Sequence, residues 1–364
     1  MTELNHTPLH ERHQLAGARL VDFAGWEIPL QFTSVRAEEA AVREGAGLFD
    51  VSHMGRFEVH GAGAADFLQG LVTNDLRRIG DGQAQYNLLC DQSAGVLDDL
   101  VVYRGEPWRV VVNAANREAD LAWMTDHAPA GVTIQDRTQE LALIALQGPR
   151  AASLLPVADV ALDRLGFFGW TTGTVAGVPD TLISRTGYTG EDGFELFVAA
   201  DRAAEVWDAL VGRGVTPAGL AARDVCRLEA GLRLHGNDMG PDINPYEAGL
   251  GWVVKLQKGE FVGRAALARI KESGSGRRLV GLRGEGRTIP RHGEAVQDGA
   301  AKGIGAVTSG TWSYWLNQGI GLALLERSGV PEAGRVALVQ RGQIAPAEIT
   351  TLPFYRGSVK QPGA

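Results

Sequence analysis

Two adjacent aspartates are the residues whose surroundings most favour acid–base chemistry. Asp98 and Asp99 follow a turn at Gly95 and begin an apolar run that ends at Tyr103. On a strand, neighbouring side chains point to opposite faces, so each face carries one carboxylate among apolar groups. Such a carboxyl has a raised pKa or needs a dedicated partner, and both conditions are common at functional sites. The alternative, an aspartate pair that ends a hairpin in water, is slightly favoured by this segment alone.

A glycine-rich turn between two strand-like runs is the second candidate. Residues 186–196 read Thr-Gly-Tyr-Thr-Gly-Glu-Asp-Gly-Phe-Glu-Leu, and the glycines allow a ligand to approach the backbone closely. The turn is not a phosphate loop, because it lacks the Lys-Ser/Thr ending and contains two acids. Glu195 lies on the face opposite Phe194 and Leu196. Taken alone, the segment favours a solvent-facing glutamate on a hairpin.

Arg223 is the third candidate, within an amphipathic stretch. A helix over residues 220–234 places Val225 and Leu228 on one face and Arg223 nearly opposite Val225. The arginine therefore faces solvent or a cavity. The small residues that precede it would let a ligand come close, although an arginine on a helix surface usually pairs with an acid.

The other titratable residues predict no metal site and no disulfide. The histidines considered lack metal-ligand spacing, the two cysteines form no Cys-x-x-Cys pair, and no Ser-His-Asp order is apparent. Those residues are His53, His60, His235, His292, Cys90 and Cys226. Three tryptophans are interpreted as core or interface aromatics: Trp26, Trp252 and Trp312.

The sequence around these residues predicts both helices and strands. The chain has 364 residues, of which 45% are hydrophobic, so it can form two or three folding units. Up to about residue 260, short apolar runs alternate with helical patterns, which indicates α+β structure. Residues 268–278 are polar and predict a linker, and residues 279–355 consist of short β-prone runs that predict a small all-β barrel or sandwich.

One further helix is predicted with its cap and its buried face. Asp201 is the expected N-cap, and Gly212 and Gly214 are the expected end. The buried stripe has helical spacing. It consists of Ala203, Val206, Trp207 and Leu210.

Charge and hydropathy narrow the classes of partner. The formal net charge of -8 argues against a protein that binds nucleic acid. No run approaches the roughly 18 apolar residues of a membrane-spanning helix. The polar segment Thr2–His13 differs from a secretory signal and from a transit peptide, so we expect a cytoplasmic protein without a membrane partner.

Taken together, these segments resemble one family, the glycine cleavage T-proteins. The similarity runs from about Thr7 to Arg356 and rests on many segments in the family's order. They are residues 23–30, 49–55, the Asp98–Asp99 strand, 111–116, 146–149, the Tyr188 turn, the Arg223 helix, 244–256 and 308–311. Two departures are Ala94-Gly95, where the family has a glycine pair, and Trp312–Asn317, which leaves the shape of that loop open.

The resemblance implies a fold and a division into domains. The expected fold class is α+β, with three domains in a cloverleaf arrangement around a central folate cavity. Residues 1–53 and 138–267 form one discontinuous α+β domain, residues 54–137 form a second, and residues 279–358 form the all-β C-terminal barrel or sandwich.

The resemblance also implies an activity. A family member is an aminomethyltransferase that moves a one-carbon unit from the aminomethyl-lipoyl arm of H-protein to tetrahydrofolate, its co-substrate. Asp99 corresponds to the acid of the folate site, and Glu195 and Arg223 correspond to contacts with the pterin and substrate. The resemblance therefore favours functional roles for these three residues over the structural or solvent-facing roles that each segment alone favoured. Five further positions lie near the ligand in the family: Tyr86, Tyr103, Tyr188, Met54 and Asn113. Basic residues that could dock an acidic carrier, or simply be solvated, are Lys255, Lys258, Arg264, Arg287 and Arg291.

Three rival interpretations remain at this point. Folate domains of sarcosine and dimethylglycine oxidases are similar, but they share a chain with a flavin domain, and no Gly-x-Gly-x-x-Gly fingerprint is present here. The iron–sulfur accessory protein of this fold carries a Lys-Gly-Cys segment, whereas residues 258–260 read Lys-Gly-Glu. A folate-binding module without catalysis would retain folate affinity and release no ammonia.

Overall fold

The first part of the chain contributes a small sheet and one strand of a larger sheet. A computed structural model describes residues 4–359. The elements are β1 (Asn5–His6), α1 (His10–Leu15), β2 (Arg19–Phe23), β3 (Trp26–Gln31), α2 (Val35–Glu44) and β4 (Gly47–Asp50). Strands β1, β3 and β2 form a three-stranded sheet in that order. Helix α2 begins where Ser34 Oγ accepts a hydrogen bond from the Ala37 amide, at 3.2 Å.

The next segment forms a sheet of its own. Its elements are β5 (Gly55–His60), α3 (Ala64–Leu71), β6 (Gln83–Cys90), β7 (Val96–Arg104), β8 (Trp108–Val112), α4 (Arg117–His127) and β9 (Thr133–Asp136). The strand order is β6-β7-β8-β5-β9. Strand β7 alternates as predicted, with Asp98 buried on one face and Asp99 half-buried on the other.

A six-stranded sheet is completed only after that segment. Its later elements are β10 (Leu141–Gln147), α5 (Ala151–Leu154), β11 (Trp170–Val175), β12 (Val178–Ser184), β13 (Gly193–Ala199), α6 (Ala203–Gly212), β14 (Thr216–Pro217) and α7 (Leu220–Glu229). The strand order is β11-β12-β13-β10-β4-β14, so β4 lies inside a sheet whose other strands come much later in the chain.

The C-terminal strands close into a barrel, as predicted. After α8 (Arg264–Ser273) come β15 (Arg277–Gly284), β16 (Ala295–Gln297), β17 (Gly303–Ser313), β18 (Gln318–Glu326), β19 (Arg335–Gln340) and β20 (Gln343–Thr350). Strand β15 pairs with both β18 and β20, which closes the six-stranded ring. The three-domain division stays a prediction, and the sheets support it because the five-stranded sheet and the barrel each occupy one continuous stretch.

Three local predictions were wrong. Asp201 lies in a short 3₁₀ turn and is not the cap of α6, although the four predicted apolar residues of that helix are buried. Helix α7 ends at Glu229 and not near residue 234, because Gly231 adopts a positive φ of 68° and reverses the chain. The predicted linker is mostly the helix α8, which buries Ala266 and Leu267.

The exposure of two side chains also differs from the prediction. Trp252 is 60% exposed and is therefore not a core residue. Lys258 is buried, and its Nζ donates hydrogen bonds to the carbonyl oxygens of Gln69 and Val72, so it is not available to dock a partner.

An apolar cluster joins the two larger sheets face to face. Tyr103 and Val111 of the five-stranded sheet pack against Phe49, Leu143 and Phe197 of the six-stranded sheet. Helix α7 contributes Ala222 and Cys226 to the same cluster. Polar residues on these facing surfaces are therefore directed toward a common boundary between the sheets and α7.

A buried arginine joins segments that are distant in sequence. Arg43 on α2 donates to Glu191 Oε1 at 2.7 Å and to Glu229 Oε2 at 2.5 Å, and all three side chains are buried. Ser313 of the barrel donates to the other oxygen of Glu229. The ring of Tyr355 lies 4.4 Å from the Arg43 guanidinium.

We expect Arg43→Met to destabilise the protein strongly. The substitution keeps most of the side-chain volume but leaves the carboxylates of Glu191 and Glu229 buried without their cation, which costs about 3–5 kcal/mol. Urea unfolding followed by tryptophan fluorescence measures the change. Arg12→Met is the control, because Arg12 pairs with Asp208 at the surface and its loss should change little. Equal stability of the two variants would contradict the prediction.

Candidate functional site

Strands β6, β7 and β8 place three polar side chains together. Leu88 pairs with Asp99 in the register, so Tyr86, two residues earlier on β6, shares the face of Asp99. The Tyr86 hydroxyl donates to Asp99 Oδ2 at 3.0 Å. Asn113, one residue after β8, donates from Nδ2 to Asp99 Oδ1 at 2.8 Å. Asp99 thus has one hydrogen-bond donor on each carboxylate oxygen.

Asp98 lies on the opposite face of β7 and shares one donor with Asp99, the side-chain amide of Asn113, whose Nδ2 lies 2.7 Å from Asp98 Oδ1. It accepts hydrogen bonds from the Asn113 amide N–H at 2.9 Å and from Asn116 Nδ2 at 2.7 Å. Burial and the charge of the neighbouring Asp98 together raise the pKa of Asp120 on α4 to about 10. Asp98 is a buried structural acceptor.

Burial and the neighbouring carboxylate set the proton affinity of Asp99. Burial raises the pKa of Asp99 to about 7, and the charge of Asp98 acts in the same direction. The hydrogen bonds from Tyr86 and Asn113 oppose this rise because they favour the charged form. Asp99 is therefore an acid that gains and loses its proton near neutral pH.

Strand β13 directs Glu195 toward the same boundary between the sheets. Glu195 pairs with Ala145 in the register and lies two residues before Phe197, so it shares the face that packs on the five-stranded sheet. The carboxylate is half-buried and accepts a hydrogen bond from Thr186 Oγ1 at 2.5 Å. The solvent-facing interpretation of Glu195 was wrong.

Helix α7 brings Arg223 next to the glycine-rich turn. Its guanidinium lies 4.8 Å from the ring centroid of Tyr188. Burial lowers the pKa of Arg223, and Glu195 and Tyr188 oppose that effect. Nη1 of Arg223 is buried and has no hydrogen-bond partner among residues 4–359. Such an atom is costly unless a ligand or water satisfies it.

Tyr188 interacts electrostatically with both Asp99 on β7 and Arg223 on α7. Burial raises the pKa of Tyr188, with Asp99 raising it further and Arg223 lowering it. The same tyrosine therefore lies within electrostatic range of both residues, and Arg223 in turn interacts with Glu195. Asp99, Glu195 and Arg223, which are linked by these pairwise interactions through Tyr188, are referred to below as one electrostatic neighbourhood.

These three residues do not all line one cavity in this structure. The cavity beside Arg223 is formed by β3, β4 and the start of α7, and neither Asp99 nor Glu195 lies in its wall. Its lining residues are Ile28, Pro29, Phe49, Asp50, His53, Ala218, Gly219, Leu220 and Arg223. A wider surface hollow around Leu155 and Asp159 contains none of the predicted site residues.

The remaining predicted residues lie at the apolar boundary of this neighbourhood. Tyr103 is fully buried, and its ring packs edge-on against Phe197 with the centroids 5.3 Å apart. Burial raises the pKa of Tyr103, and the charge of Glu195 acts in the same direction. Met54 is partly buried and packs against the same cluster.

The sequence did not reveal several residues around the site. Asn116, three residues after Asn113, is hydrogen-bonded to His235 Nδ1 at 2.9 Å as well as to Asp98. The two asparagines flank a short helical turn, and that spacing could have indicated that both face the aspartate pair. Trp252 stacks on Tyr86 with the ring centroids 6.0 Å apart. Nothing local in the sequence connects Trp252 with Tyr86, because a loop remote in the chain brings them together.

Comparison with known proteins gives consistent matches over nearly the whole chain. Residues 9–258 match the GCVT N-terminal domain, and residues 277–356 match the glycine cleavage T-protein C-terminal barrel domain. An aminomethyltransferase from Herpetosiphon aurantiacus is 46% identical, over 98% of this chain and 100% of that protein. One from Rubrobacter xylanophilus is 48% identical, over 99% and 96% respectively.

A solved structure agrees with these matches. The glycine cleavage system aminomethyltransferase T from Bartonella henselae superposes with a TM-score of 0.92. It shares 35% identity, and the alignment covers 98% of this chain and all of that one. The similarity therefore extends to all the sheets described above.

The raised pKa of Asp99 predicts a pH-dependent stability. The folded protein holds the Asp99 proton up to about pH 7, whereas the unfolded chain releases it near pH 4. The stabilising contribution is therefore complete below about pH 4 and is lost as the pH rises through 7. Asp99→Asn cannot ionise, so its free energy of unfolding relative to the wild type should rise by about 1–3 kcal/mol between pH 5 and pH 8.

Urea unfolding at four pH values between 5 and 8 tests this expectation. The control is Asp66→Asn, because that side chain is 87% exposed and its difference from the wild type should stay constant across the window. A constant difference for Asp99→Asn would show that Asp99 is already ionised at pH 5.

Proposed function

The chain belongs to the glycine cleavage T-protein family and is an aminomethyltransferase, and we propose that it acts through the neighbourhood of Asp99, Glu195 and Arg223. In the proposed reaction, the aminomethyl group on the dihydrolipoyl arm of H-protein meets tetrahydrofolate. The products are 5,10-methylenetetrahydrofolate, ammonia and dihydrolipoyl H-protein. The observation that carries the site assignment is the half-buried carboxylate of Asp99, which has a hydrogen-bond donor on each oxygen.

The polar groups present suit a reduced folate. A pterin presents an amino group beside a ring N–H, and a carboxylate such as Glu195 can accept both hydrogens. Arg223 has a buried Nη1 with no partner among the described residues, and a folate carbonyl or carboxylate oxygen would satisfy it. Tetrahydrofolate supplies the amine nitrogens that attack the one-carbon unit.

Asp99 is proposed as the proton acceptor and electrostatic stabiliser. A general base works best when its pKa lies near the operating pH, and a pKa of about 7 meets that condition. In its ionised form the carboxylate would orient the folate amine, accept its proton and stabilise the positive charge that develops on the one-carbon unit. Asp98 cannot share this role, because it is buried on the other face of β7 and its oxygens are engaged.

The neighbours of Asp99 are proposed as positioning residues. Tyr86 and Asn113 fix the two carboxylate oxygens, so the rotamer of Asp99 is defined before substrate binds. Tyr188, whose ring lies beside the Arg223 guanidinium, is proposed to contact the ligand with its ring. Tyr103 and Met54 are proposed to form the apolar wall beside Glu195.

Lipoylated H-protein is the proposed partner, because the one-carbon unit arrives on a lipoyl arm. Cytoplasmic location and the absence of nucleic-acid and membrane partners stay predictions from the sequence. Among residues 4–359, no helix combines the length and apolar character that crossing a membrane requires.

An activity assay with loaded H-protein tests the role of Asp99. Asp99→Asn should lower the rate of folate-dependent ammonia release by roughly 10²–10⁴-fold, because the amide can neither accept the proton nor carry the charge. Asp66→Asn serves as the matched control and should retain the wild-type rate. Near-normal turnover of Asp99→Asn would remove Asp99 from the mechanism, and folate binding without ammonia release by the wild type would indicate a binding module.

The proposed pterin contact of Glu195 predicts a defect in binding. Glu195→Gln keeps the shape but replaces one acceptor oxygen with a donor, so the Kd for tetrahydrofolate should rise by roughly tenfold or more. Fluorescence titration of the intact chain measures the Kd, and Glu205→Gln at the exposed Arg202 pair is the control. An unchanged Kd would place the pterin elsewhere.

A further inference from the structure

Two histidines and a glutamate meet at the small three-stranded sheet, away from the site described above. His6 on β1 and Glu27 on β3 are partners in the parallel register, so their side chains lie side by side. His10, the first residue of α1, lies against them. The imidazole rings of His6 and His10 stack with centroids 3.8 Å apart and an interplanar angle of 5°.

The donor atoms of this cluster converge on one carboxylate oxygen. Glu27 Oε2 lies 3.5 Å from His6 Nε2 and 3.4 Å from His10 Nε2. One ligand atom from each residue lies within 4.8 Å of the other two. In a tetrahedral zinc site with bonds of about 2.0–2.1 Å, neighbouring ligand atoms are about 3.3 Å apart. Both distances to the carboxylate already match that spacing.

We propose that His6, His10 and Glu27 form a Zn²⁺ site with three protein ligands and a fourth position for water. The donor set selects the metal class, because two imidazole nitrogens suit zinc and related transition metals, whereas Ca²⁺ and Mg²⁺ require mostly oxygen ligands. The parallel rings must tilt for their lone pairs to meet at one point. His6 can do so, since its side chain is 52% exposed, whereas His10 is held by burial.

A metal at this position would link α1 to the paired strands β1 and β3. Its ligands would come from the two-residue strand β1, the first residue of α1 and strand β3. The residues that follow Glu27 on β3 are Ile28 and Pro29, which line the cavity beside Arg223. The expected effect of the metal is a stiffer wall of that cavity, and zinc takes no part in the transfer reaction.

Zinc titration of the metal-free chain tests the site. After dialysis against a chelator, competition with a zinc-sensitive dye at pH 7.5 should show one equivalent bound per chain. His6→Asn and Glu27→Gln should each weaken binding by at least about tenfold, because each removes one ligand. Both side chains are partly exposed, so both variants should fold.

The matched control is His60→Asn. His60 also lies beside a glutamate, with Nε2 at 3.7 Å from Glu58, but no second imidazole belongs to that pair. Its substitution should leave the zinc Kd unchanged, and saturating zinc should raise the thermal midpoint of the wild type and of this control but not of Glu27→Gln. Binding that is equally strong in His6→Asn and the wild type, or no stoichiometric binding, would overturn the proposal.

Discussion

The geometry of the site depends on the buried charge of Arg43. Its ion pairs hold the glycine-rich turn through Glu191 and the end of α7 through Glu229. Tyr188 belongs to that turn, and Arg223 belongs to that helix. A buried guanidinium is stable only when its carboxylates stay in place, so the turn and the helix cannot move independently. The ion pairs of Arg43 therefore reinforce the direct contact between Tyr188 and Arg223.

Strand β7 shows how two identical side chains acquire different chemistry. Asp98 is buried and accepts hydrogen bonds from Asn113 and from the side-chain amide of Asn116. Asp99 faces the boundary between the sheets, where burial and the charge of Asp98 raise its pKa. The alternation of the strand directs the two adjacent side chains to opposite faces where, of the two aspartates, Tyr86 donates only to Asp99 and Asn116 only to Asp98. Asn113 contacts both carboxyl groups and fixes their separation.

Sequence patterns predicted what local periodicity determines. The two faces of β7, the buried stripe of α6 and the C-terminal barrel are confirmed, because each follows from a repeat of two residues or of three to four residues. Helix ends and the burial of single residues were harder to predict from the sequence. Gly231 ends α7 early, and Lys258 is buried against the end of α3, where the carbonyl oxygen of Gln69 accepts its hydrogen bond. Asp120, Trp252 and the cluster at Glu27 become visible only when separate segments meet. The roles of the site residues rest on family resemblance together with the geometry.

The interruption of the six-stranded sheet has a consequence for the order of folding. Asp50 on β4 pairs with Ile144 on β10, and all of the five-stranded sheet lies between them in the chain. That intervening sheet pairs strands that are closer in sequence, so its loops close at lower entropic cost. During synthesis it can assemble before β10 has left the ribosome, and β4 must wait unpaired for a partner on both sides. The boundary that holds Asp99 and Glu195 is thus among the last parts of the molecule to form.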